Sequence, residues 1–168
     1  MQRMGPALSL RSRERGQHAG NRSFRLEIQF LRTLGNTLVI SGELVHLCGI
    51  DTPDLDQPCL DAERVPYSCG AVARAVLEAV ALGRAVDCDL IRFAPGMVPD
   101  AICSIQGDSL QVRMVKLGYA LDRRDISDGL YFTDETRAAS QRMGMWGGAF
   151  IAPSQWRRYR QGRVSDVR

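Results

Sequence analysis

Apolar and polar residues alternate from Phe24 to Phe30, which is the two-residue period of a half-buried β-strand. Short apolar runs rich in branched residues predict four further strands, at residues 37–40, 43–50, 85–93 and 101–105. Turn-forming pairs precede or follow these runs, among them Gly35-Asn36, Ser41-Gly42 and Pro95-Gly96. The pattern therefore predicts five short strands.

Three stretches carry helical signals, and each is followed by a glycine. They are residues 69–82, 109–117 and 133–143. Residues 54–68 contain Pro58 and Pro66 and are predicted to be loop. One helix after the third strand and two after the fifth make an α+β order. Because short antiparallel strands must protect their edges, we expect a five-stranded OB-fold barrel with three helices.

The composition is that of a globular protein and excludes a membrane span. The chain has 168 residues, of which 45% are hydrophobic and 24% charged, enough for one domain. No apolar run approaches the ~20 residues that a membrane helix needs, so we expect no membrane partner. Gly5 and Pro6 interrupt the apolar segment 4–10, which makes a poor signal-peptide core. As written, the sequence predicts a cytoplasmic protein.

Basic residues concentrate at the two ends of the chain. Residues 1–22 hold five arginines and one glutamate, and residues 156–168 hold five arginines and one aspartate. Residues 23–155 hold 12 basic and 17 acidic residues, so this part does not by itself attract a polyanion. We expect a flexible basic tail over 1–22, a folded domain over 23–156 and a second basic tail over 157–168. The tails are either solvated and disordered or a means of holding nucleic acid.

One segment carries the densest chemical signal. The apolar run 44–50 ends in Asp51-Thr52-Pro53-Asp54, which places two carboxylates at the end of a strand, where oxygen ligands suit a hard cation. Further motifs follow in order along the chain: Cys69-Gly70-x-x-Ala73, Leu82-Gly83-Arg84-x-Val86, Met114-Val115-x-x-Gly118-Tyr119-Ala120, Gly144-Met145-Trp146 and Pro153-x-x-Trp156-Arg157-Arg158. With these motifs, residues 24–156 resemble the staphylococcal nuclease family. The resemblance implies an OB-fold and calcium-dependent hydrolysis of nucleic-acid phosphodiesters.

The metal ligands implied by this resemblance are incomplete. Asp51 and the Thr52 carbonyl match two family ligands, but Asn36 stands where the family has its first aspartate. Asn36 offers an uncharged oxygen, so we expect calcium to bind weakly if at all. The alternative for Asn36 is a turn residue after Gly35, without any metal. We expect no cofactor, with Ca²⁺ only if activity remains.

The catalytic positions implied by the resemblance are also substituted. Asp54 occupies the position of the family's glutamate base, with a side chain one methylene shorter. The alternative is that Asp54 is only a loop residue beside Pro53. His46 occupies the position of the family's first catalytic arginine, and the alternative is that it is an ordinary strand histidine. Val98 stands at the second arginine, and Arg92 is expected to lie some distance away on the preceding strand. Losing one transition-state donor typically costs 10²–10³-fold, so we expect little activity.

The five cysteines leave two alternatives open. None forms a Cys-x-x-Cys pair, so a zinc site is not favoured. They are buried free thiols in a reducing compartment, or Cys59 pairs with Cys69 and Cys88 with Cys103. Exported bacterial members of the nuclease family often have cysteines in this arrangement, which implies an exported ancestor and leaves the compartment open.

These observations predict a catalytically impaired or inactive nuclease-like domain. We expect it to be a monomer and to act as a binding module for nucleic acid, through its arginine-rich ends, or for a protein partner. The alternative is a weak calcium-dependent phosphodiesterase acting on DNA or RNA.

Overall fold

The computed structural model describes residues 23–27, 32–34, 37–40, 43–92 and 96–165, which form strands and helices of mixed α+β character. The strands are β1 (Ser23–Glu27), β2 (Arg32–Leu34), β3 (Thr37–Ile40), β4 (Glu43–Leu47), β5 (Ile50–Asp51), β6 (Pro58–Leu60), β7 (Pro66–Ser68), β8 (Ala85–Arg92), β9 (Asp100–Ile105), β10 (Asp108–Ser109) and β11 (Leu121–Asp122). The helices are α1 (Cys69–Ala81), α2 (Leu110–Lys116), α3 (Arg124–Ser127), α4 (Phe132–Ser140) and α5 (Pro153–Ser165).

The main sheet has the strand order β1-β8-β9-β4-β3-β2, with β10 paired to β9. Its neighbours are antiparallel except β4 and β9, which run parallel with His46 opposite Asp100. Two small sheets, β11-β5 and β6-β7, complete the described strands. The predicted α+β class is confirmed. Because no sheet among the described residues closes into a barrel, the OB-fold barrel stays a prediction.

The larger of two hydrophobic clusters among the described residues joins the sheet to the helices. Helix α1 buries Ala73, Leu77 and Ala81, which recur every four residues and therefore share one face. This face joins a cluster with residues of the sheet such as Leu47 and with Met114 of α2. The core therefore includes the end of β4, which lies shortly before the Asp51 segment.

The predicted helices 69–82, 109–117 and 133–143 are present as α1, α2 and α4. The predicted loop 54–68 is partly wrong, because it contains the hairpin β6-β7. Pro58 and Pro66 are each the first residue of a strand, a position where a missing N–H is tolerated. The strand predicted over 43–50 is interrupted near Gly49, whose φ of 79° turns the chain between β4 and β5.

The C-terminal segment differs most from the sequence prediction. Residues 157–165 belong to helix α5, which begins at Pro153, rather than to a tail that starts at residue 157. The short helix α3 was also not predicted. Residues 1–22 and Phe30 lie outside the described residues. None of the described helices is long and apolar enough to cross a membrane.

Two disulfides decide between the alternatives for four of the cysteines. Cys59 bonds to Cys69, linking β6 to the first residue of α1, and Cys88 bonds to Cys103 across directly opposed positions of β8 and β9. The alternative of free thiols is therefore wrong for these four residues. Cys48 keeps a free thiol.

Reduction should lower the free energy of unfolding. The disulfides close loops with sequence separations of 10 and 15, and a loop of this size contributes about 3 kcal/mol by restricting the unfolded chain. We expect the Cys88→Ala/Cys103→Ala variant to lose about 2–4 kcal/mol in urea denaturation, and Cys48→Ala to lose less than half as much. Equal losses would contradict the assignment. Intact mass after thiol alkylation should show one labelled cysteine before reduction and five after it.

Candidate functional site

A cleft of about 660 Å³ opens where β4 and β5 end, and ionisable residues from five parts of the chain line it. Three of them are carboxylates, three are guanidiniums and one is an imidazole. In chain order they are His46, Asp51, Asp54, Arg92, Asp100, Arg123 and Arg157. The sequence motif 51–54 therefore lies in a concave site together with cations that are distant in sequence.

Asp51 is the most buried charged residue of the cleft. It is the last residue of β5, held opposite Leu121 of β11, and its side chain is only 7% exposed. Its Oδ2 accepts the backbone N–H of Ser154 at 2.9 Å, in the first turn of α5. A carboxylate at a helix N-terminus is stabilised by the unpaired N–H groups and the helix dipole. Pro153, which has no N–H to satisfy, is suited to the first position of that helix.

Arg157 lies one turn further along α5 and points its guanidinium at the same motif. Its Nη2 donates to Asp51 Oδ1, and its Nη1 donates to Asp54 Oδ1 at 3.0 Å. The Thr52 carbonyl also accepts from Nη1, at 3.5 Å. Burial lowers the pKa of Arg157, but the bonds and charges of Asp51 and Asp54 outweigh this and leave the pKa raised. Arg157 therefore remains a cation.

The loop that carries Asp54 is packed directly against α1. A Cβ atom placed on Gly70 would lie 1.7 Å from the Asp54 carbonyl oxygen and 2.9 Å from Leu55 Cα. Only glycine permits this approach of helix and loop. On the far side, Gln57 is fully buried and donates from Nε2 to the Ile151 carbonyl at 2.7 Å, just before α5 begins. The loop 51–57 is thus held between α1 and the start of α5.

His46 lies in the cleft and is anchored to the sheet. Its Nδ1 is 2.6 Å from the hydroxyl of Thr37, which is opposite it on β3, and its backbone N–H donates to the Pro99 carbonyl. One ring nitrogen is therefore occupied by the protein, which leaves Nε2 for a ligand.

The other two arginines of the cleft also have carboxylate partners. Arg92 lies 3.5 Å from Asp100. Arg123 forms a double hydrogen bond with Asp125 at 3.1 and 2.6 Å, which raises the pKa of Arg123 and lowers that of Asp125. The expectation that Arg92 lies away from the site is wrong, because the register of β8 and β9 brings it beside Asp100 at the cleft.

Cys48 also lines the cleft, half-buried between β4 and β5. Burial, and then the negative charge of Asp100, raise the pKa of its thiol. A raised pKa disfavours the thiolate, which is the reactive form, so Cys48 is a poor nucleophile here.

The sequence-predicted site residues are thus only partly brought together. His46, Asp51 and Asp54 line one cleft, whereas Val98 is half-buried outside the residues that line it. Asn36 lies outside the described residues. Arg123 and Arg157 were not predicted from the sequence as parts of the site. Arg157 was visible in the motif Pro153-x-x-Trp156-Arg157-Arg158, but its charge was assigned to a tail.

The residues of the cleft do not fit a calcium ion as they are arranged. Both Asp51 oxygens are already bonded, and the Arg157 guanidinium occupies the space between Asp51, Asp54 and the Thr52 carbonyl. Ca²⁺ needs six to eight oxygen ligands at 2.3–2.6 Å. Within the described part of the chain, no group of three His, Cys, Asp or Glu side chains is arranged to hold a metal.

The chain is similar to a distant relative among known proteins. No protein-family model matches the chain. The chain is 30% identical over 114 residues to the succinoglycan biosynthesis protein ExoI of Rhizobium meliloti (strain 1021). The match covers 67% of this chain and 60% of ExoI, so the chain spans less than two thirds of that relative.

Replacing Gly70 should disturb the site loop through α1. We expect Gly70→Ala to lower the free energy of unfolding by about 1–3 kcal/mol, because the new methyl group overlaps the Asp54 carbonyl. The matched control is Gly162→Ala in α5, where a Cβ meets nothing within 4 Å and helix propensity favours alanine by up to ~1 kcal/mol. Urea denaturation measures both. A neutral Gly70→Ala would contradict the close packing.

Proposed function

We propose that this chain is a staphylococcal nuclease-like domain that has lost most or all of its phosphodiesterase activity and acts as a binding module. The observation that carries the proposal is the pairing of charges in the cleft. Each of its three guanidiniums has a carboxylate partner, and the two acidic residues of the motif 51–54 share Arg157.

Sheet geometry supports an OB-fold barrel for this domain. β1 and β2 are at opposite ends of the strand order, yet only five residue steps separate Glu27 from Arg32. A chain of that length spans at most about 18 Å. Six flat strands spaced at about 4.8 Å would put the two edges about 24 Å apart. A flat sheet does not fit this short connection, which supports a sheet that curves to bring β1 towards β2, as in a barrel.

Paired guanidiniums are poor catalysts of phosphoryl transfer. Catalysis needs donors that are free to meet charge as it develops on the phosphoryl oxygens. Here a phosphate would have to displace Asp51 and Asp54 from Arg157, or Asp125 from Arg123, and would then leave a carboxylate beside itself. His46 contributes one imidazole in place of an arginine fork. Asp54, the candidate base, is itself a hydrogen-bond acceptor of Arg157.

A cleavage assay tests this proposal against the alternative of a weak calcium-dependent phosphodiesterase. We expect purified wild-type protein in 10 mM CaCl₂ to cleave single-stranded DNA and RNA no faster than the Asp54→Asn variant prepared in parallel. Asp54→Asn is chosen because it removes the candidate base but keeps the side-chain size and an oxygen that can accept from Arg157. Calcium-dependent cleavage at 10²-fold or more above the variant would overturn the proposal and establish the alternative.

The partner that the charge distribution favours is a single-stranded nucleic acid bound outside the cleft. Helix α5 exposes Arg158 to solvent, and residues 1–22 hold five further arginines in the sequence. Cations of this kind bind phosphates without sequence preference and release counterions on binding. The cleft itself carries three aspartates against three arginines, so it adds no net attraction for a polyanion.

Binding of a fluorescent oligonucleotide should therefore depend on salt and on these arginines. We expect affinity to fall steeply between 50 and 200 mM NaCl. Deletion of residues 1–22 combined with Arg158→Gln should lower the salt slope by about 0.7 for each phosphate that the protein no longer neutralises. Arg74→Gln, on the exposed side of α1, is the matched control and should leave the slope unchanged. Anisotropy titrations measure the affinity and its salt dependence for each variant. An unchanged salt slope in the deleted variant would contradict the proposed nucleic-acid partner.

The match to ExoI favours a second candidate, a role alongside glycan biosynthesis, which is what the name of that relative states. A charge-balanced cleft rich in hydrogen-bonding groups suits a neutral sugar better than a phosphate. In the same titrations, a neutral oligosaccharide that binds independently of salt would support this candidate. The two disulfides support an oxidising compartment for either role.

A further inference from the structure

We infer that the guanidinium of Arg157 is a built-in cation that takes the place of a metal ion in this cleft, so that a divalent cation binds Asp51, Thr52 and Asp54 only when Arg157 is withdrawn. The resemblance to calcium-dependent nucleases implies a metal here, and the observed contacts disagree with it. We attribute the absence of a fitting metal site among the described residues of the cleft to one residue on α5, Arg157.

The contacts of Arg157 are those that a bound cation would make. Its guanidinium meets one carboxylate oxygen of Asp51, one of Asp54 at 3.0 Å and the Thr52 carbonyl at 3.5 Å. These are two charged oxygens and one neutral oxygen, the donor types that hard divalent cations prefer. A guanidinium is a planar group of hydrogen-bond donors with no acceptor and a permanent positive charge, so it binds these oxygens only as a charged donor.

Electrostatics explain why the space between Asp51 and Asp54 needs a cation. Asp51 is almost fully buried, and Asp54 lies three residues further along the chain. Leaving two carboxylates together without a partner is unfavourable, because each needs solvent or an opposite charge. Arg157 supplies one positive charge from within the chain, whereas an ion would supply two from solution.

The position of Arg157 follows from the way α5 begins. Asp51 Oδ2 accepts the N–H of Ser154, and Arg157 follows three residues later on the same side of the helix. Gln57 holds the chain at Ile151, directly before the helix. The helix start is thus fixed at the acidic motif, which places the guanidinium of Arg157 beside Asp51 and Asp54.

The prediction is that removing Arg157 creates a calcium-responsive protein. We compare full-length wild type with Arg157→Met, which keeps an unbranched side chain but not the charge, by thermal unfolding in 0–10 mM CaCl₂ at constant ionic strength. Wild type should not respond. Arg157→Met should unfold at lower temperature without calcium and gain about 5–10 °C when calcium reaches 100 times its Kd.

Three controls separate this inference from an ordinary ion pair. Arg158→Met, on the exposed side of α5, should unfold at the same temperature as wild type with and without calcium. Arg157→Lys keeps a cation and should not respond to calcium. Asp54→Asn combined with Arg157→Met should lose the calcium response. Arg157→Gln replaces Arg157→Met in the same comparison if the methionine variant does not fold.

Two results would overturn the inference. One is a calcium response of wild type equal to that of Arg157→Met, which would mean that the guanidinium does not block the ion. The other is a folded Arg157→Met protein whose unfolding temperature ignores calcium, which would mean that the oxygens do not form a cation site. The inference rests on the proposed function in one respect: both the inference and the proposed loss of activity require that the native cleft binds no metal. The inference is tested by thermal unfolding and the proposed function by cleavage, so either can fail without the other.

Discussion

The contact on which this site depends is the buried carboxylate of Asp51 held between the first turn of α5 and the guanidinium of Arg157. One oxygen meets the Ser154 N–H and the other meets Arg157, so a single side chain fixes both the position and the rotation of the helix. A carboxylate this buried must be satisfied, because an unpaired charge in the interior is costly. The residue that the nuclease resemblance assigns to a metal therefore holds the C-terminal helix in place.

This arrangement links the proposed loss of activity to the stability of the fold. In a metal-dependent site the same oxygens would have to stay available for an ion, which leaves like charges facing one another until it binds. Here Arg157 neutralises part of that repulsion without a metal ion. The other guanidiniums of the cleft are also paired, Arg92 with Asp100 and Arg123 with Asp125. This balance of ion pairs is what supports the proposed binding role over phosphoryl transfer.

Much of the fold was predictable because local signals agreed with one another. Alanine-rich residues followed by Gly83 predicted α1, and the alternation after Phe24 predicted β1. The hairpin β6-β7 was not predictable in this way, because Pro58 and Pro66 argue against strands unless each stands at a strand start. Likewise, Gly70 occurs within a helix for a reason that only its contact with the Asp54 carbonyl shows.

The sequence by itself determined the α+β class and the acidic motif 51–54. Strand and helix periods, and two carboxylates three residues apart, are local properties of the chain. Only the tertiary structure decided what surrounds that motif. Arg157 is 106 residues away from Asp51 along the chain, and no periodicity links them. Which charge meets which is set by the packing of α5 against the β5 end, a long-range contact that local signals do not encode.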